Sequence, residues 1–297
     1  MKNLIFRGIA TAMVTPMTAT GVDYDALARF IDFQLEEGIN ALVAVGTTGE
    51  SATLTPQERK EVIRFTVERV AGRVPVIAGT GTNNTQHVLE FTKSACDDGA
   101  DAVLVVTPYY NKATQNGLVQ MYTAIADAST KPIIVYNVPS RTGVNIQPAT
   151  YQKLAQHPRI AGIKEANGDI SSIVTTASLV GDSLSIYSGN DDQTVPMMAL
   201  GAKGVISVLS NVAPRQVHDM CAAFKAGDVA KARQMQIDAI PLIEALFCEV
   251  NPIPVKEAMN MMGEEVGPFR KPLVDMEPAN RDRLRRELVN YGISLKE

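Results

Sequence analysis

The chain has 297 residues, and 28 Lys and Arg against 32 Asp and Glu give it a formal net charge of −4. Hydrophobic residues make up 45% of it and charged residues 20%, which excludes an intrinsically disordered chain, since disorder requires low hydrophobicity and high net charge. The slight acidic excess argues against nucleic acid as the main partner, because phosphate binding requires a local excess of Lys and Arg.

Eight short apolar runs rich in β-branched residues recur at intervals of about 20 to 33 residues. Runs of this kind are typical of parallel strands that are buried on both faces. The predicted strands cover 9–15, 41–45, 74–78, 102–107, 132–137, 160–164, 184–188 and 205–209. Amphipathic helical patterns lie between the first strands, at 24–37, 57–71, 84–98 and 118–128.

This alternation predicts an α/β fold, a (β/α)8 TIM barrel. A doubly wound open sheet is the alternative, but no GxGxxG follows the first strand. After about Pro214 the strands stop, and helical patterns follow at 217–225, 229–248, 254–262 and 279–291. We therefore expect a catalytic barrel over 1–225 and a C-terminal helical extension over 226–297 that packs on it.

The cysteines and histidines, three of each, are scattered, with no CxxC and no cluster. This spacing predicts reduced thiols and argues against a zinc or iron site, so we expect neither a metal nor a cofactor. MKNLIFRGIATAMVTP, the first segment, lacks the features of a secretory signal, and no apolar run approaches the roughly 20 residues that span a bilayer. These features predict a cytoplasmic protein with no membrane partner.

A barrel enzyme carries its catalytic groups at the C-terminal ends of its strands, and Lys164 lies at such an end, within IAGIKEA. Desolvation lowers the pKa of a lysine and frees the amine for imine formation. The alternative is a strand-end lysine whose ammonium reaches water or a carboxylate. Glu165 should point to the other face of the strand, as a partner outside the barrel rather than a catalytic base.

Other polar groups end neighbouring strands. Tyr136, one strand earlier, could move protons to and from an imine, or could be a core tyrosine with a satisfied hydroxyl. Thr47 and Thr48 lie between two glycines and could bind a carboxylate or phosphate, or could serve only the turn. The fork of Arg141 suits a substrate carboxylate, or a surface salt bridge.

Six motifs at these strand ends together resemble the pyruvate-dependent class I aldolase/lyase family. They are GTTGE at 46–50, TPYYNK at 107–112, YNVPSRTG at 136–143, GIKEANGD at 162–169, SGNDDQ at 188–193 and GVISVLSN at 204–211. The resemblance runs from about Gly8 to Gly263. It is strongest to the branch that condenses pyruvate with L-aspartate 4-semialdehyde, the first committed step of the diaminopimelate route to lysine.

The resemblance implies a role for each candidate residue. Lys164 would form the Schiff base with pyruvate, and Tyr136 would relay protons with Thr47 and with Tyr110, which reaches in from a neighbouring subunit. The implied substrate-binding residues are Thr48, Arg141, Gly189 and Ile206, with Arg141 on the carboxylate of the aldehyde substrate. The resemblance also implies a homotetramer built from tight dimers.

Two alternatives remain open. N-acetylneuraminate lyase or another 2-keto-acid aldolase would share the lysine and the tyrosine, but Arg141 in PSRTG and Tyr110 after Tyr109 favour the condensing branch. A non-catalytic barrel that binds a metabolite is the second alternative. Two strand-end groups placed for imine chemistry argue against it.

Relatives that lysine inhibits bind it at a subunit interface, and the matching positions here form a possible allosteric set: Ser51, Ala52, Gly81, Asn83, His87 and Tyr109. Such relatives often carry histidines where this chain has Pro56 and Arg59, and a glutamate where it has His87. A carboxylate to pair with the ammonium of lysine is therefore missing. We expect weak or absent feedback by lysine.

Overall fold

The strands close into a barrel in a computed structural model that describes residues 4–296. Neighbouring strands are parallel throughout, and the first also pairs with the last. They are β1 (Gly8–Ala12), β2 (Ala41–Ala44), β3 (Val76–Gly79), β4 (Ala102–Val106), β5 (Ile133–Asn137), β6 (Ile160–Glu165), β7 (Ser185–Ser188) and β8 (Gly204–Ser207). The predicted TIM barrel is confirmed.

Helices follow each strand, and three more follow the last outer helix. They are α1 (Tyr24–Glu36), α2 (Pro56–Val70), α3 (Thr85–Asp97), α4 (Gln115–Ala128), α5 (Pro139–Thr142), α6 (Pro148–Leu154), α7 (Ile170–Val180), α8 (Thr194–Ala199), α9 (Pro214–Lys225), α10 (Val229–Leu246), α11 (Ile253–Met262) and α12 (Pro278–Asn290). A reciprocal capping box between Thr55 and Glu58 fixes the start of α2, because it satisfies two free backbone N–H groups.

The first and last strands are shorter than their apolar runs predict. β1 ends before Val14, whose N–H donates to Asn211 Oδ1 at 3.1 Å, and the Thr15 hydroxyl donates to the Gly49 carbonyl at 2.8 Å. After the end of β1, these side-chain hydrogen bonds replace the backbone hydrogen bonds between strands. Apolarity continues past these points, so the sequence pattern overestimates the strand lengths.

The core has an inner and an outer layer. Alanines, aliphatic side chains and the aromatic rings of Phe6, Tyr136 and Tyr187 fill the inside of the barrel, and a larger cluster packs between strands and helices. Near the N-terminal end, the Tyr187 ring stacks on Phe6 with centroids 4.2 Å apart, and its hydroxyl donates to the Phe6 carbonyl at 2.9 Å. This packing fills the N-terminal end and leaves the C-terminal end for a site.

Side chains after α9 contact residues of the barrel. Lys256 of α11 donates to Glu50 Oε1 at 2.8 Å, and Asn251 Nδ2 donates to the Thr48 hydroxyl at 3.1 Å. The helix after β8 is α9, which ends at Lys225, where the sequence places the boundary. The division into two domains at this point stays a prediction.

Between residues 4 and 296, no helix has the length and apolar character needed to cross a membrane. In that same range, no group of three or more His, Cys, Asp or Glu side chains is arranged to hold a metal ion. The three cysteines carry free thiols, Cys221 being buried and the other two half-buried.

Candidate active site

Lys164 is buried near the C-terminal end of β6. It lies in register with Tyr136 of β5 on one side and Tyr187 of β7 on the other, and only 5% of it is exposed. Burial lowers the pKa of its amine to about 8, an effect that the Arg141 charge enhances and that Asp191 opposes. Near neutral pH a useful fraction of this amine is therefore unprotonated and nucleophilic.

The Tyr136 phenol lies beside that amine. Lys164 Nζ is 4.3 Å from the centroid of the Tyr136 ring. Burial raises the pKa of Tyr136 to about 12, although Arg141 and a hydrogen bond with Thr47 oppose this. The phenol thus stays protonated and can give or accept a proton through hydrogen bonds.

A tight turn after β2 brings the two threonines to the site. Val45 there has φ +57°, and a methyl group on Gly79 of β3 would lie 2.1 Å from the Val45 carbonyl oxygen, so only glycine admits the turn. Thr47 is half-buried, whereas Thr48 is buried with its hydroxyl bonded to Asn251. The structure therefore separates them: Thr47 faces a cavity and Thr48 faces the extension.

This cavity has a volume of about 300 Å³ and joins the two sets of predicted residues. Its lining includes Thr47 of the predicted proton relay and Arg141 of the predicted substrate-binding set. It also includes four residues of the predicted allosteric set: Ser51, Ala52, Gly81 and Tyr109. Asn83 and His87 are exposed and do not line it. A volume of this size suits a small-molecule ligand.

Gly189 and Ile206 complete the surroundings of Lys164. A methyl group added to Gly189 would lie 3.2 Å from Lys164 Cε and 2.8 Å from Ala166 Cβ, so the approach of β7 requires glycine. Ile206 is buried inside the barrel in the same cluster as Tyr136. The structure thus places Gly189 beside Lys164 and Ile206 inside the barrel.

Tyr110 is the one predicted catalytic residue that the single chain leaves in solvent. It is 86% exposed, has φ +74° and does not line the cavity. A positive φ is unfavourable for a bulky side chain.

Glu165 behaves as its position on the strand predicts. Its carboxylate accepts hydrogen bonds from the Tyr151 hydroxyl of α6 at 2.8 Å and from Asn137 Nδ2 at 2.9 Å, both outside the barrel lumen. Burial raises the pKa of this carboxyl to about 7. Through Asn137, Glu165 connects β6 to β5 on the outer face of the barrel, opposite the side chains of Lys164 and Tyr136.

Asp191 lies within the SGNDDQ motif, and the sequence pattern does not mark it as a site residue. Its carboxylate is buried and exerts a charge effect on Lys164. A second acidic residue, Asp192, follows it and is exposed, so the motif alone does not show which of the two faces the site.

Arg59 is a buried cation in the wall of the cavity. It is 6% exposed, donates to the Gly79 carbonyl at 3.1 Å and stacks 4.2 Å from the centroid of the Phe91 ring. Burial lowers its pKa to about 10, and no carboxylate pairs with it within the described range. The sequence gives only an arginine on an amphipathic helix, where a solvated position is the usual outcome.

Comparison with known proteins gives full-length matches. The model of the Dihydrodipicolinate synthetase family matches residues 5–290. The 4-hydroxy-tetrahydrodipicolinate synthase of Thermoanaerobacter sp. (strain X514) is 51% identical over 294 residues, which cover 99% of this chain and 99% of the relative.

Solved structures agree over the same length. A chloride-inhibited dihydrodipicolinate synthase from Acinetobacter baumannii, complexed with pyruvate, is 44% identical, with a TM-score of 0.95 over 97% of this chain and 99% of that one. A monomeric dihydrodipicolinate synthase variant is 45% identical, with a TM-score of 0.96 over 98% of both chains.

Proposed function

Because this chain belongs to the Dihydrodipicolinate synthetase family, we propose that Lys164 carries the reaction by which it joins pyruvate to L-aspartate 4-semialdehyde. The activity is that of a 4-hydroxy-tetrahydrodipicolinate synthase, a lyase of the diaminopimelate route to lysine. One observation supports the residue assignment above all: a desolvated amine lies beside the Tyr136 phenol, with Nζ 4.3 Å from the ring centroid.

The proposed reaction begins when the Lys164 amine attacks the ketone carbon of pyruvate and water leaves, which gives an imine. The protonated imine withdraws electrons, so the pyruvate methyl group loses a proton and an enamine forms. The enamine carbon then bonds to the aldehyde carbon of the second substrate, whose oxygen takes up a proton. The amine of that substrate displaces Lys164 from the imine carbon and closes a six-membered ring.

Tyr136 and Thr47 are proposed to carry the protons of these steps. A phenol whose pKa is about 12 is neutral at physiological pH, so it can donate its proton and recover one from Thr47. Because the imine supplies the electron sink, this chemistry requires no metal and no cofactor.

The substrates are proposed to be held through their carboxylates. Thr47 and the backbone N–H groups around Thr48 suit the pyruvate carboxylate. The Thr48 hydroxyl accepts a hydrogen bond from Asn251. Arg141 is exposed at the same cavity and can form a bidentate pair with the carboxylate of the aldehyde substrate. Gly189 and Ile206 would bound the space around the imine.

Trapping with borohydride tests the imine. Pyruvate with borohydride should add the mass of a reduced pyruvate adduct to Lys164 and to no other lysine, and absence of that adduct would refute the assignment. In a second assay, pyruvate should be consumed with L-aspartate 4-semialdehyde but not released from N-acetylneuraminate. Cleavage of the sugar without condensation would contradict the proposed substrate.

We propose that Tyr110 acts from one subunit in the site of another, within a homotetramer of tight dimers. An 86% exposed tyrosine held at φ +74° is explained if a partner subunit covers it. The monomeric variant among the relatives shows that a similar fold can exist without this assembly. For the proposed homotetramer, light scattering should give four times the mass of one chain.

The matching kinetic prediction concerns Tyr110→Phe, which should reduce kcat by about 10²-fold, since a relay group contributes about that much. The assembly measured by light scattering should not change. Tyr24→Phe, at a hydroxyl bonded to Glu61 on the outer helices, is the control and should keep its rate. An unchanged rate for Tyr110→Phe would place the relay elsewhere.

Lysine is expected to be a weak inhibitor or none. Its ammonium would enter a cavity whose wall carries the buried Arg59 cation, and the Glu50 carboxylate there is already bonded to Lys256. Like charges at close range oppose binding, so we expect roughly 1 mM lysine to leave the steady-state rate within about twofold. Inhibition at micromolar lysine would contradict this.

The cytoplasmic location inferred from composition stays a prediction, as does the boundary between 1–225 and 226–297. The proposed substrates are small soluble metabolites, and the proposed partners include neither nucleic acid nor a membrane. Fractionation of cells followed by immunodetection would test the location.

A further inference from the structure

Asp191 carries a buried carboxylate that is only half satisfied. It follows β7 by three residues and is 4% exposed. Its Oδ2 accepts hydrogen bonds from the backbone N–H groups of Val208 and Leu209, each at 2.9 Å. The Ser207 hydroxyl of β8 also acts on this carboxylate, but Oδ1 is buried and accepts no well-formed hydrogen bond from any residue between 4 and 296. A carboxylate oxygen left in this state costs free energy, so its retention needs an explanation.

The chain around Asp191 is fixed at the side of Lys164. Two residues earlier, an added methyl on Gly189 would lie only 3.2 Å from Lys164 Cε. The Asp191 carbonyl accepts a hydrogen bond from Gln236 Nε2 at 3.0 Å, and Gln236 Oε1 accepts one from Val195 N–H at 3.1 Å. These bonds hold the backbone, and the Val208 and Leu209 N–H groups hold the carboxylate itself.

Several charged and titratable groups lie around Lys164 and Asp191. Lys164 is acted on by the positive Arg141 from α5 and by the negative Asp191, while the neutral Tyr136 phenol lies over it from β5. Asp191 in turn acts on the Cys221 thiol of α9 and on the phenol of Tyr291, which directly follows α12. Both are uncharged near neutral pH because burial raises their pKa values to about 12. Two other carboxylates lie around this set: Glu165, whose pKa burial raises to about 7, acts on Tyr136, and Asp238 acts on Tyr291. Asp191 is the anion that acts on Lys164 itself.

We propose that Asp191 is the positioning residue that supplies the counter-charge for the cationic imine on Lys164. This rests on the proposed function, since it requires Lys164 to form that imine. A cation formed in a desolvated site is stabilised most by a charge that is already fixed in place, because nothing then has to reorganise during the reaction. The two backbone donors on Oδ2 and the Gln236 bond to the Asp191 carbonyl fix this charge in place beside Lys164.

Asp191→Asn tests this with two measurements: the rate at which Lys164 is labelled should rise, and kcat should fall. The amide matches the carboxylate in size and can still accept from Val208 and Leu209, so only the charge is lost. Without it the pKa of Lys164 should fall by about one unit, and acetic anhydride at about pH 6.5 should label Lys164 about tenfold faster, read by mass spectrometry. At the same time kcat should fall by at least about tenfold, because the imine cation has lost its partner.

A merely structural role for Asp191 would lower kcat without faster labelling, and that result would overturn the proposal. Asp192→Asn is the matched control, since Asp192 is the exposed neighbour and should change neither readout. Ser207→Ala covers the case in which Asp191→Asn does not fold. Burial raises the pKa of Asp191, and the Ser207 hydrogen bond opposes this rise. Ser207→Ala keeps the charge but removes that bond, so the acid limb of the kcat profile should move to higher pH.

The two proposals fail separately. If the unaltered protein gives no borohydride adduct on Lys164, the imine itself is refuted. If that adduct forms, but Asp191→Asn is labelled at the unaltered rate, the counter-charge is refuted alone. An unmoved acid limb in Ser207→Ala leads to the same conclusion where Asp191→Asn is insoluble.

Discussion

Replacing Lys164 with methionine is expected to reduce kcat by at least about 10³-fold, because removal of a covalent nucleophile leaves only binding and polarisation. Methionine is similar in length and apolar, so the barrel interior stays filled. Steady-state consumption of pyruvate with L-aspartate 4-semialdehyde measures the loss. Mass spectrometry after borohydride should show no pyruvate adduct.

Lys153→Met is the matched control, since Lys153 is exposed on α6 and the same chemical change is made. It should keep its activity and its adduct. A Lys164→Met protein that retained more than roughly a hundredth of the rate would show that another amine, or no amine, carries the reaction.

The same variant should be more stable than the unaltered protein near pH 7. Burial depresses the pKa of Lys164 from 10.5 to about 8, so folding disfavours its ammonium form. Between these two values the unfolded chain binds more protons, and stability rises with pH through this window. Urea unfolding at about pH 7 should show Lys164→Met gaining up to about 3 kcal/mol, with the gain shrinking toward pH 10.

The second large effect is on stability, at the buried ion pair of Lys256 and Glu50. Lys256→Met is expected to lower the free energy of unfolding by about 3–5 kcal/mol, because it leaves the Glu50 carboxylate buried without its cation. Both side chains are 0% exposed, and Lys256 Nζ also donates to the Pro268 carbonyl at 2.7 Å. Urea unfolding near neutral pH measures the change.

The double variant Glu50→Gln with Lys256→Met should recover most of that loss, since no charge then remains buried. Lys231→Met, at an exposed position of α10, is the control and should stay within about 0.5 kcal/mol of the unaltered protein. Unchanged stability in the single Lys256→Met variant would mean that the Glu50 carboxylate pairs with another cation or is protonated in the folded protein.

The ion pair of Lys256 and Glu50 also connects the C-terminal extension to the turn that carries Thr47. Glu50 closes the turn that carries Thr47, and Asn251 from the extension bonds the Thr48 hydroxyl. Loss of Lys256 should therefore also raise the KM for pyruvate. The helices after α9 thus contact the turn that carries Thr47 and Thr48, the residues proposed to bind pyruvate.

The fold could be predicted from the sequence because its information is local and repeated. Eight apolar runs with helical patterns between them are enough to predict a barrel, since strand and helix periods differ. Lys164 was identifiable for a related reason: a charge within an apolar strand is costly and so indicates chemistry. Alternation along the strand also placed Glu165 on the outer face, where Tyr151 binds it.

Only the tertiary structure decided which distant groups meet. Lys256 and Glu50 are 206 residues apart, and nothing local to either shows that they pair. Arg59 is buried, Thr48 faces the extension rather than the cavity, and Asp191 rather than Asp192 acts on Lys164. These outcomes depend on barrel closure and on how much water each group loses. Desolvation and long-range pairing are properties of the packed chain, whereas strand and helix patterns are already present in its local sequence.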